Sequence, residues 1–202
     1  MSYLYRIIIK RMLDIVFSLS LLIVTAIPML IIFIAIKVSS CGAAIFSQVR
    51  FGLDSQPFRI YKFRTMRQNT PIVANQGFSD INQYVTKIGA FLRSTSLDEL
   101  PQLVNVLKGE MSFIGPRPLA DTDLEVIEAR RLSGADQVRP GITGLAQVHG
   151  RNLVGNEDKA KYDAAYAQNI SLINDIKIIW MTVVSVLKKT GINSNDANEG
   201  ER

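Results

Sequence analysis

The stretch Ser94-Thr95-Ser96-Leu97-Asp98-Glu99-Leu100-Pro101-Gln102 sets two adjacent carboxylates just ahead of a proline. Proline is tolerated only in the first turn of a helix, so a helix must begin near Leu97 to Leu100, with Asp98 and Glu99 at its start. Unpaired N–H groups and partial positive charge at such an end favour anions. Two readings stay open. Ser96 and Glu99 have the S-x-x-E spacing of a capping box. A carboxylate placed there is also positioned to attack a phosphate held at the same helix end. Attack of one anion on another needs neutralising charge, from Mg²⁺ or from basic side chains. Lys62, Arg64, Arg93, Arg117 and Arg139 are the candidates.

Two loops fit phosphate handling. Gly115-Pro116-Arg117-Pro118 fixes an arginine between two prolines, which limits the backbone freedom that binding would otherwise freeze. Arg139-Pro140-Gly141-Ile142-Thr143-Gly144 sets an arginine beside a Gly-rich turn whose amides can approach an oxyanion. Each alone reads equally as a turn; together with the acid pair they suggest a site. Other chemistries are closed. His149 is the only histidine and no G-x-S-x-G elbow exists. Cys41 is the only cysteine, so neither an intrachain disulfide nor a thiolate metal cluster can form.

The elements that must position these residues start with an apolar run, Met12 to Ile36, interrupted by Pro28. Its length suffices for a bilayer. Arg6, Lys10 and Arg11 precede it and Lys37, Arg50, Arg59, Lys62, Arg64 and Arg67 follow. Positive flanks prefer the cytoplasmic side, and one straight span cannot put both there. A helix that breaks at Pro28 and leaves by the same face can, so a re-entrant hairpin is expected, with a kinked ordinary span as the alternative. Asp14, the single acid in the run, is expected to pair with Lys10 or Arg11 one turn away.

Beyond the run, Ala44–Arg50 and Gln56–Met66 read as two strands joined by a turn at Gly52-Leu53-Asp54, with Lys62 and Arg64 on one face. Helices are expected near Thr86–Arg93, Asp121–Leu132, Asp158–Gln168 and Leu172–Lys189. Gln68–Asp80 reads as irregular, Met111–Pro118 as a loop with a short extended stretch, and Val138–Asn152 as a Gly-rich loop. The helix Leu172–Lys189, which contains Trp180, reads as interfacial, lying in the headgroup plane, although a core helix explains its pattern nearly as well. The fold class expected is mostly α with a small β-hairpin. Its parts are a membrane hairpin at 1–40, a compact catalytic domain with interfacial amphipathic helices at 41–192 and a disordered tail at 193–202. The net charge of +5 beside an apolar anchor suits anionic lipid headgroups and a phosphate-rich substrate. Dispersed Lys and Arg without a recognition motif argue against nucleic acid.

At these residues the chain resembles the bacterial sugar transferases, monotopic phosphoglycosyl transferases of the minimal catalytic-core type. The likeness rests on Lys10-Arg11 with Asp14, on Ile60-Tyr61-Lys62-Phe63-Arg64-Thr65-Met66 and on Leu97-Asp98-Glu99-Leu100-Pro101-Gln102. It continues through Asn105 to Pro118 and Arg139 to Gly144, leading to Gly150-Arg151-Asn152. The resemblance implies transfer of a sugar phosphate from a UDP-sugar to polyprenyl (undecaprenyl) phosphate with release of UMP. It implies Asp98 as the nucleophile of a covalent phosphosugar-aspartyl intermediate and Glu99 as its partner. Mg²⁺ is implied against both acids, with Lys62, Arg93, Arg117 and Arg139 at phosphate groups. It also implies a re-entrant anchor carrying Lys10, Arg11, Asp14 and Pro28, in a bacterial inner membrane with the catalytic domain on the cytoplasmic face. Two departures stand out: Ile27 where the family often has Ser, and His149 where Asn is common. A non-catalytic membrane adaptor and a glycosyltransferase releasing UDP are the rival functions. The donor sugar and the oligomeric state, a homodimer included, are left open.

Overall fold

The computed structural model describes residues 2–68, 70, 81–150 and 154–187. The expected tail, Lys188, Lys189, Arg151, Asn152 and most of the irregular segment before Asp80 lie outside them. A π-helical turn, Tyr5–Ile9, leads into α1 (Lys10–Ser39), a helix long and apolar enough to cross a membrane. Ile23, Val24, Ile27, Leu30 and Ile31 along its middle are each more than half exposed. The expected helix-break-helix is corrected in one respect: α1 continues through Pro28. Proline withholds one N–H and crowds the carbonyl of Val24. One lost bond costs less than ending the helix among apolar side chains, where every freed backbone group would need a partner.

Both ends of α1 rest on the remainder of the chain. After it come β1 (Ile45–Phe51), β2 (Pro57–Phe63), α2 (Lys87–Thr95), α3 (Gln102–Lys108), β3 (Ser112–Ile114), α4 (Leu124–Ser133), β4 (Gly141–Thr143), α5 (Leu145–Val148), α6 (Asn156–Gln168) and α7 (Leu172–Leu187). At the start of α1, Arg11 donates to the carbonyls of Val106 (2.6 Å) and Leu107 (2.9 Å), closing the C-terminus of α3. Asp14 is buried and accepts from Ser112 Oγ and the Phe113 N–H, both at 3.1 Å. Lys10 reaches Asp175 on α7 at 2.7 Å. The local Asp14 pairing with Lys10 or Arg11 is therefore not formed as a contact ion pair. A buried carboxylate gains more from donors fixed in β3 than from a flexible ammonium that has its own buried acceptor. At the far end Ile36 packs with Ala44, Phe63 and Leu92.

The hairpin β1–β2 is antiparallel, with Phe46 opposite Lys62, Gln48 opposite Ile60 and Arg50 opposite Phe58. A second pair not foreseen in the sequence joins β3 and β4 in parallel, Ser112 beside Gly141 and Ile114 beside Thr143. Glycine makes this possible. A Cβ at Gly115, Gly141 or Gly144 would collide with the backbone of the opposite loop, so the two Gly-Pro segments interlock. Asn105, fully buried, joins β2 to α3: its amide donates to the Arg59 carbonyl at 2.7 Å and accepts from the Tyr61 N–H at 3.1 Å. On α7 the carboxylate of Asp175 also accepts from Tyr5 and Tyr166, at 2.7 and 2.8 Å. Burial and that carboxylate push the Tyr166 hydroxyl well above the usual phenol range.

Removing one partner of a buried pair strands the other's charge. Asp175→Ala is expected to cost about 3–5 kcal/mol, read by denaturant unfolding in detergent. The double variant Lys10→Met with Asp175→Leu should recover much of that loss. An equal loss in both would contradict the pairing.

Candidate active site

The acid pair is presented by a sharp reversal. Ser94 and Thr95 donate their hydroxyls to the Phe91 carbonyl and so close α2, and Ser96 then turns back with φ of 57°. Leu97–Glu99 form a single 3₁₀ turn, followed by Leu100 and Pro101 before α3 begins. The acids thus precede α3 rather than occupy its first turn. The Ser96–Glu99 capping box is not formed, because Ser96 already terminates α2 in the left-handed region and its side chain caps nothing. Leu97 and Leu100, on either side of the acids, pack into the cluster around Ile36. The dyad is anchored by its neighbours to the end of the long apolar helix.

Glu99 accepts from Lys62 Nζ at 2.6 Å. Lys62 is aimed by β2, which Asn105 fixes to α3 one residue earlier, at Tyr61. Burial pushes the Asp98 carboxyl above the usual carboxylate range; Lys62 and Arg93 pull it back down, and Glu99 opposes them. A half-buried aspartate between two cations and a second carboxylate is the arrangement in which one acid is set apart for chemistry. Beside the pair a shallow cleft opens, lined by Lys62, Glu99, Gln102, Arg50 and Arg117 among others.

The sequence-predicted cations separate into two groups. Lys62, Arg93 and Arg117 belong to the site region. Arg64 does not: it donates to the Ser40 and Cys41 carbonyls at 2.9 and 2.8 Å and to Ser40 Oγ at 2.7 Å, closing the C-terminus of α1. Arg139 is likewise spent on the Gly109 carbonyl at 3.0 Å, at the opposite end of α3 from the dyad. Both are cations satisfying helix carbonyls, a role with the same residue type and charge as phosphate binding. His149 ends α5, with its ring stacked on Tyr162 at 4.6 Å between centroids.

Sequence reasoning passed over three positions. Arg50 shares with Lys62 one face of the hairpin, a fact available from strand alternation once the register is known. Gln102 is buried on the cleft wall. Arg130 is buried against Asp163 at 2.6 Å and donates to the Arg117 carbonyl at 2.9 Å. It positions the Pro-Arg-Pro loop through its backbone.

Residues 5–189 match the family described as bacterial sugar transferase. The chain belongs to the bacterial sugar transferase family. It is a transferase, and the resemblance in its motifs stands. Among its relatives is an uncharacterized sugar transferase, EpsL, of Bacillus subtilis, 38% identical over 96% of this chain and 95% of that one. A UDP-glucose:undecaprenyl-phosphate glucose-1-phosphate transferase of Caulobacter vibrioides is 43% identical over 88% of this chain and 69% of that protein. One of the same description from Klebsiella pneumoniae is 44% identical over 86% of this chain, which spans only 39% of its length.

The division of arginines is testable. Arg64→Ala should lower stability by about 1–3 kcal/mol, from lost charge-assisted bonds to carbonyls, with nucleotide affinity unchanged. Lys62→Met should instead cut transferase turnover by about 10²-fold while shifting the melting midpoint little. Comparable turnover losses from the two would contradict the assignment.

Proposed function

We propose that this transferase moves a sugar 1-phosphate from a UDP-sugar to a polyprenyl phosphate, releasing UMP, through a covalent adduct on Asp98. The observation that carries this reading is the half-buried Asp98 in the field of Glu99, Lys62 and Arg93, with Glu99 and Lys62 lining a cleft that also holds Arg50 and Arg117. The printed activity of the Caulobacter and Klebsiella relatives supports both substrate classes, a UDP-sugar and undecaprenyl phosphate. An Asp98 carboxylate oxygen attacks the phosphorus bearing the sugar. The bond from that phosphorus to the bridging oxygen breaks, and the electron pair leaves with UMP. A polyprenyl phosphate oxygen then attacks the same phosphorus, displaces Asp98 and yields the polyprenyl diphosphate sugar. Two substrates share one site in succession, which calls for ping-pong kinetics.

Lys62 compensates charge around the dyad, since anion attack on a diphosphate otherwise meets strong repulsion. The donor set suits Mg²⁺: it consists of carboxylate oxygens, and Mg²⁺ takes one or two of these alongside substrate phosphates. Among the described residues no group of three or more His, Cys, Asp or Glu converges, so a dedicated protein cage is not offered. Asp98 and Glu99 would hold the ion, which when bound neutralises phosphate charge.

The membrane reading is monotopic and re-entrant from the cytoplasmic face of a bacterial inner membrane. A straight α1 would be about 45 Å long, yet Arg11 at its start and Ile36 near its end both pack on the α2–α3–β2 region. Its exposed middle fits lipid, and its positive flanks suit the cytoplasmic side. The exposed apolar face of α7, Ile173, Ile176, Trp180 and Val183, fits the headgroup boundary as an interfacial helix.

The decisive measurement pairs product and adduct. Wild-type protein with a UDP-sugar and polyprenyl phosphate should release UMP, and a labelled donor alone should leave its phosphosugar on Asp98. Asp98→Asn should abolish both while membrane association persists. UDP as the nucleotide product would point to a sugar-only transferase, and no nucleotide release from any donor to an adaptor.

A further inference from the structure

We propose that Arg50 and Arg117 form a two-guanidinium clamp on the nucleotide side of the cleft, holding the phosphate that departs as UMP. The proposal rests on the transferase reading above and names a binding residue, Arg50, for it.

The backbone brings the two arginines together. Arg50 lies on the same face of the hairpin as Lys62, since Phe46 faces Lys62 and Arg50 faces Phe58 in register. Phe58 and Lys62 are offset by four positions on β2, about 13 Å along the strand, and the Arg50 and Lys62 side chains line one cleft. At the end of β1, the Phe51 N–H donates to the Leu119 carbonyl at 2.9 Å, tying the strand to the segment that follows Arg117. Arg130, locked on Asp163, fixes the Arg117 carbonyl from the other side. The backbone at both positions is fixed, and Gln48 aims the Arg50 guanidinium.

Their charge is what distinguishes them. Lys62 is matched by Glu99 and Arg130 by Asp163. Among the described residues no carboxylate lies within ion-pair distance of Arg50 or Arg117. Arg50 donates to the neutral Gln48 Oε1 at 2.6 Å, which aims the guanidinium without cancelling it. Burial lowers the Arg50 pKa from its usual value and Arg117 lowers it further, while Asp123 and Asp121 oppose from a distance. Two like charges held on one wall cost energy until an anion lies between them. Planar guanidiniums suit phosphate because each can donate through two parallel N–H groups.

The order along the cleft assigns the phosphates. Lys62 and Glu99 adjoin Asp98, so the phosphorus under attack belongs at that end. The second phosphate of the donor then extends toward Arg50 and Arg117. When the bond between the attacked phosphorus and the bridging oxygen breaks, the electron pair stays on that oxygen and UMP gains a negative charge. A clamp there acts on the charge that grows during departure, which is where a cation accelerates the step.

The test uses the full chain in detergent micelles, titrated calorimetrically with UMP and with uridine. Arg50→Met should weaken UMP by about tenfold or more, the loss of one charge-assisted pair, and leave uridine within about twofold. It should also slow formation of the Asp98 adduct. Arg50→Lys, which keeps the charge and loses the fork, should fall between it and wild type; it also serves if Arg50→Met does not fold. Undiminished UMP affinity in both folded variants would overturn the clamp, as would equal losses for UMP and uridine. Should wild type bind UMP through Arg50 yet release none from any UDP-sugar, the clamp stands and the transferase reading falls.

Discussion

Three polar side chains at the start of an apolar helix hold this protein together. Apolar surface is non-directional, so a helix made only of Ile, Leu and Val could slide or rotate against its domain at little cost. Lys10, Arg11 and Asp14 remove that freedom by engaging Asp175, the end of α3 and the edge of β3 respectively. Each contact is charge-assisted and mostly screened from water, where such bonds are strongest. Asp175 extends the connection by accepting from Tyr5 and Tyr166 as well, so the first and last helices meet at one carboxylate. A single buried acid thus sets how the long apolar helix, the central elements and α7 sit together.

The other end of the helix is tied to the acid pair. Ile36 shares a cluster with Leu97 and Leu100, the residues flanking Asp98 and Glu99. The dyad is therefore held at a fixed offset from the end of the apolar helix. For the proposed transfer this matters, because a soluble donor and a lipid-borne acceptor must reach one atom. The left-handed turn at Ser96 completes the arrangement: it ends α2 abruptly and swings the acids toward Lys62 without a long loop.

Charge is divided between structure and cleft with little overlap. Arg11, Arg64 and Arg139 satisfy carbonyls at helix ends and chain turns, and Arg130 holds a loop through Asp163. Lys62 neutralises a carboxylate beside the dyad, while Arg50 and Arg117 face the cleft without one. The interlocked glycines of the two Gly-Pro loops give Arg117 a rigid base. Rigidity here lowers the ordering cost that anion binding would otherwise incur.

Much was determined by residue type and local spacing alone. The apolar run set the long helix, alternation set the β-hairpin, and the Asp98-Glu99-Leu-Pro arrangement marked the acids as unusual. These follow from short-range rules, since helix and strand periodicity and proline sterics act within a few residues. Only the tertiary structure decided which cations line the cleft. Arg64 and Arg117 carry the same group, and their difference lies in whether a backbone carbonyl or an open cleft happens to stand opposite. The partner of Lys10 lies 165 residues away and that of Asp14 close to a hundred, separations over which no spacing rule operates. The continuity of α1 through Pro28 was likewise decided by the surroundings, where an unpaired backbone costs more than a strained helix. Local physics chose the elements and the adjacent acids; long-range burial chose the partners of the buried charges, because a charge withdrawn from water takes the nearest partner in space and not in sequence.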